Sequence, residues 1–156
     1  MIKFREFAYG STSAVITSLA IIISLSGTIN SKFNIIAALL IIAIADNVSD
    51  AFAIHLQEES QKVSTKEVRK TTFYNFLARL LITTIFVIII FFIPTTLATI
   101  ISIIYGLGII TFLSYNIAKS QKKNPYKEIA IHVGVAIILM IVSIILKQAI
   151  MTYVKS

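Results

Sequence analysis

Apolar residues fall into five long runs separated by short polar stretches, extending from about Ala8 to Ile29, Phe33 to Leu56, Phe73 to Ile93, Thr95 to Ile117 and Ile129 to Ile150. A bilayer core about 30 Å thick takes roughly 20 residues of helix to cross. Each run is long enough, so the pattern predicts an all-α integral membrane bundle of five spans. Residues 1–156 form a single transmembrane domain with no room for a separate soluble one. Lys3 and Arg5 precede the first run, as in a signal peptide. Its apolar region exceeds the roughly 7–15 residues of such a segment, and no small-x-small site precedes a soluble remainder, so it reads as a retained span.

The connections are unequal. "FIPTT" leaves space only for a tight reversal, because Pro94 lacks a backbone donor and disfavours helix at Ile93; the third and fourth spans should form an antiparallel hairpin. In "SQKKNPYKE", Asn124 and Pro125 end one helix and start the next. "EESQKVSTKEVRKTT" is the longest connection. No internal repeat is visible, and an odd number of spans does not divide into two equal inverted halves.

Composition agrees: 57% of the 156 residues are hydrophobic and only 13% charged, whereas an ordinary soluble domain is nearer a quarter charged. Cysteine is absent, which removes disulfides, thiolate metal sites and thiol catalysis. The net charge of +7 would suggest nucleic acid in a soluble protein. Here it lies between spans. Lys3 and Arg5, then Lys62, Lys66, Arg69 and Lys70, then Lys119, Lys122, Lys123 and Lys127 share one side; Lys32 and Lys155, with Lys147 near them, are on the other. The positive-inside rule therefore puts the N-terminus in the cytoplasm and the C-terminus outside, with anionic lipid rather than nucleic acid as the partner of the basic loops. The compact chain without a targeting segment suggests a prokaryotic cytoplasmic membrane.

Two spans carry more than hydrophobicity. In the first, Gly10, Ala14 and Ser18, and again Ala20, Ser24 and Thr28, put small residues four apart, a stripe that lets another helix approach within the chain or across a dimer. Serine and threonine can equally bond to their own helix carbonyls. Gly106 and Gly108 repeat the signal weakly in the fourth span.

The second span, "IADNVSDAFAIHLQEES", turns polar before it ends. At 100° per residue, Asp46, Asp50, Ala53 and Gln57 share a stripe with Ser49 beside it; Asn47 and Glu58 form an adjoining one, and His55 points largely away. An aspartate at mid-membrane costs about 2.5–3.5 kcal/mol on insertion scales, so this face should look into the bundle or onto water. Carboxylate, amide and hydroxyl oxygens suit hard divalent cations, and imidazole extends the range to manganese and ferrous iron. The candidate metal ligands are therefore Asp46, Asp50, Asn47, Ser49, Gln57, Glu58, Glu59 and His55, forming half a site that another helix or subunit completes. The bland reading is that the aspartates cap, reach water or pair with Arg79 of the third span. Glu67 and Glu128 read as solvated charges.

These features resemble the vacuolar iron transporter family: five spans, a basic loop after the second, and "ADNVSDAFAIHLQEES" where the family carries a segment like A-D-A-x-S-M-G-x-G-E-Y. Ala45, Asp46, Ser49, Ala51 and Ala53 match position by position, and the likeness continues through "IIYGLGIITFLSYNIAKS" to "PYKEIAIHVGVAIILMIVSIIL". The resemblance implies a homodimer with a metal path between protomers, exchanging ferrous iron or manganese for protons. The family's first-span Asp-Gly pair is replaced here by "GSTSAV", with Thr12 near the expected place. Asp50 stands where the family has a path methionine, and Ile54 where it has the glutamate of G-E-Y. About fifteen residues replace the glutamate-rich domain of eukaryotic relatives.

Two functions follow. One is a dimeric, proton-coupled antiporter of a divalent cation, with Asp46 and Asp50 as ligands or proton acceptors and Asn47 and Ser49 supporting them; the transported ion is then the only cofactor-like species. The other is a non-transporting scaffold or divergent paralogue whose polar cluster only fixes helix packing. An enzyme is not expected, since neither a nucleophile–base pairing nor an HExxH-like element is present. An aspartate stripe facing a polar cavity near the first span favours transport; one closed off by Arg79 favours packing.

Overall fold

The computed structural model describes residues 2–60 and 65–153, excepting the side chains at 2–6, 54, 58, 59, 65 and 67. The elements are α1 (Ile2–Leu25), α2 (Ser31–Ser60), α3 (Thr65–Phe92), α4 (Thr95–Ser120) and α5 (Pro125–Tyr153), with no strand among the described residues. All five helices are long and apolar enough to cross a membrane.

The helices outrun their apolar cores where nothing stops them. Between Gly27 and Pro94 the chain contains neither glycine nor proline, and the polar flank is rich in Glu, Gln, Lys and Arg, which favour helix. Consequently α2 continues to Ser60 and α3 begins at Thr65, eight residues before Phe73. Most of the expected long connection is helix; Lys62 lies outside the described residues.

Breaks occur where the chemistry demands them. Leu25 rather than Ile29 ends α1, because Gly27 adopts φ +76° and Asn30 φ 55°. Ser26 and Thr28 hydroxyls donate to the Ile23 and Leu25 carbonyls at 3.0 and 2.7 Å, satisfying groups the helix leaves open. Pro94 opens α4, with the Ala98 N–H donating to its carbonyl at 2.8 Å. Asn124 Oδ1 accepts from the Tyr126 and Lys127 N–H groups at 3.1 and 3.4 Å, capping α5 above Pro125. Glu128 in that first turn lies 3.8 Å from Lys123.

α1 is the hub: it packs against all four other helices, with α2 and α3 joined on one flank and α4 and α5 on the other. Half of its apolar window is buried, against 11% for α5, whose outer face carries Ile138, Ile141 and Ile145 toward the bilayer. The core is made of Val15, Leu19 and Ile22 of α1, Ile35 and Leu39 of α2, and Phe86 and Ile90 of α3, with Ala98 and Ile110 of α4. Phe86 meets the Tyr105 ring edge-on at 5.5 Å between centroids.

Small residues set the distances around the hub. Gly10, Ala14 and Ser18 are all buried, so this stripe packs inside the chain. A Cβ at Gly10 would lie 2.5 Å from Asn75 Oδ1 and 2.7 Å from the Asn75 carbonyl, fixing how closely α1 approaches α3. At Gly106 a Cβ would meet Leu19 Cδ1 at 2.8 Å, whereas Gly108 faces open space.

Lys32 and Lys147, the lysines at the sparsely basic end among the described residues, have specific partners, and Lys155 lies outside those residues. The Lys32 ammonium donates to the Phe91 carbonyl at 2.8 Å, and Lys147 donates to the Ser26 carbonyl. Each places a cation on the C-terminal end of a helix, α3 or α1, where the backbone dipole is negative; such placement contributes about 0.3–1 kcal/mol.

Candidate functional site

Each helix of the α1–α3 flank presents a buried stripe that changes from apolar to polar toward the basic end. On α2 it runs Ile35, Leu39, Ala43, Asn47; on α3, Ile90, Phe86, Ile82, Arg79, Asn75, Thr71; on α1, Ile22, Leu19, Val15, then Ser11 and Ala8. The steps of three and four keep these residues inward. Polar groups from three helices therefore meet in one interior layer.

Arg79 organises that layer. Its side chain is 4% exposed, and Nη1 donates to Asp50 and, at 2.7 Å, to Ser13 Oγ, while Nη2 donates to Asp46. The aspartate side chains are 39% and 32% exposed, so the guanidinium is inside and the carboxylates lie at its outer edge. Asp46 and Asp50 are one turn apart, which lets a planar fork span both. Arg79 is six residues from Phe73 and fourteen from Ile93, the ends of the third apolar run. At 1.5 Å per residue, roughly 9 Å of apolar helix lies on the basic side and roughly 21 Å on the other, so the cluster sits in the basic half of the apolar layer. Two carboxylates and one guanidinium leave one formal negative charge.

Around it, buried side-chain atoms without a hydrogen-bond partner include Ser11 Oγ and both amide atoms of Asn47 and of Asn75. An unmade bond of this kind costs about 1–3 kcal/mol.

The proposed ligands separate under this geometry. Asp46 and Asp50 come together on Arg79, and Asn47 is fully buried beside them. Ser49 and Gln57 are exposed, and His55 lies on the outer α2–α3 groove with Phe52 and Phe73. The Glu58 and Glu59 side chains lie outside the described residues. Thr12 bonds to its own helix, donating to the Ala8 carbonyl at 2.8 Å. Among the described residues, no group of three His, Cys, Asp or Glu could hold a metal ion.

Several polar positions lay outside the expected set. Asn75, Ser11 and Ser13 complete the layer on α3 and α1. A second polar contact joins α4 to α5, where Ser114 Oγ is 2.9 Å from His132 Nδ1 and 2.6 Å from the Ile110 carbonyl. Ser114 extends the buried stripe Ala98, Ser102, Gly106, Ile110, which was its only sequence signal.

No family model matches the chain, and neither a curated protein nor a solved structure matches it.

Proposed function

We propose that the chain is a non-transporting membrane bundle, a divergent paralogue of the carrier family it resembles, in which Asp46, Asp50 and Arg79 lock α2 to α3 and α1. Arg79 carries this reading: its guanidinium bonds to both aspartates and to Ser13. A divalent cation entering between the carboxylates would meet that fixed positive charge. Removing one partner of such a buried group leaves an uncompensated charge, so the lock resists opening. The basic flanks support an N-terminus in the cytoplasm.

A second reading is proton-coupled divalent-cation transport by a homodimer. It is favoured by the partnerless amides of Asn47 and Asn75 and the Ser11 hydroxyl in the same layer. A pure packing device gains most when its polar groups are fully satisfied, whereas intramembrane polar atoms often border an ion path.

Thermal melting of the purified chain, with and without manganese, separates the two. The packing reading expects Asp46→Asn and Asp50→Asn to lower the melting temperature, with manganese leaving the unsubstituted chain unchanged. A melting temperature that rises with manganese and loses that response in Asp50→Asn supports the transport reading and overturns the first.

A further inference from the structure

At the basic end of α3, two clefts share Arg69 and Phe73. The first, about 570 Å³, is lined by Lys66, Arg69, Lys70, Phe73 and Tyr74. The second, about 450 Å³, continues along the outer α2–α3 face past Val48, Phe52 and Phe76. One is cationic and the other apolar, and they meet where the apolar part of α3 begins at Val68.

We propose that these clefts form a binding site for one anionic glycerophospholipid. The phosphate sits among Lys66, Arg69 and Lys70, all exposed at the edge of the apolar layer. An arginine fork and lysine ammonium groups complement phosphate oxygens. An acyl chain then covers Phe73, Phe76, Phe52 and Val48, of which Phe73 and Phe52 are 60% and 62% exposed. A soluble phosphate would use only the first cleft. The apolar continuation selects a lipid.

The test is thermal melting of the full chain in detergent with added phosphatidylglycerol or phosphatidylcholine of the same acyl chains. At tenfold excess over the dissociation constant, phosphatidylglycerol should raise the melting temperature by roughly 3–6 °C more than phosphatidylcholine. Arg69→Gln with Lys70→Gln should abolish the difference; Lys122→Gln with Lys123→Gln, which removes equal charge from the α4–α5 turn, should retain it. Equal loss in both double variants would assign the effect to general surface charge and overturn the site, as would a preference surviving Arg69→Gln with Lys70→Gln. Equal stabilisation by soluble glycerol phosphate would overturn the lipid assignment.

Discussion

Arg79 of α3 is ion-paired with Asp46 of α2 in the basic half of the apolar layer, and the same guanidinium holds Asp50 one turn on. Replacing Arg79 with Leu leaves two carboxylates without their partner. Loss of about 1.5–3 kcal/mol is expected, because the carboxylates left behind are about a third exposed, and it is read as reduced resistance to denaturant in a reversible unfolding assay. Arg79→Lys should recover part of it, because one ammonium cannot match a fork spread over two carboxylates and Ser13. Adding Asp46→Asn and Asp50→Asn to Arg79→Leu should restore most of the loss; independent additive effects would show that the three are not one unit.

The glycines give an internal control on helix approach. Gly10→Ala puts a Cβ against the Asn75 backbone, which cannot swing aside, so destabilisation of about 1–3 kcal/mol is expected. Gly108→Ala meets nothing within 4 Å and should stabilise by roughly 0.5–1 kcal/mol through helix propensity. Melting temperatures of the two variants should therefore move in opposite directions.

How much of this was legible in the sequence differs by level. Five spans could be read because bilayer thickness fixes helix length, and the close approach of α1 could be read from Gly10, Ala14 and Ser18. The ends of α2 and α3 could not, because a polar flank without glycine or proline can remain helical after its apolar core has ended. Periodicity placed Asp46, Asp50 and Gln57 on one stripe without saying which side faced inward. The inward side is the one continuing Ile35, Leu39 and Ala43, and it carries Asn47. Arg79 was visible as a candidate partner. Ser13 and Asn75 were not, since their roles depend on the register of α1 against α3, and the Ser114–His132 contact likewise depends on α4 against α5.

Lys147 and Lys32 test whether the cations at the sparsely basic end hold helix ends. Lys147→Met should free the Ser26 carbonyl beside the Gly27 turn and cost about 0.3–1 kcal/mol. Lys32→Met should do the same at Phe91. Hydrogen exchange should quicken at the last turn of α1 in the first variant and of α3 in the second, with the basic ends unchanged; exchange spread evenly along the helices would count against local capping.

The central claim is that Arg79 closes the aspartate pair to cations. The most direct measurement is manganese or ferrous iron uptake into liposomes containing the purified chain, driven by a pH gradient. Uptake equal to that of protein-free vesicles is expected. Gradient-driven uptake above that level, abolished by Asp50→Ala in protein that remains folded, would contradict the claim and make the cluster a transport site.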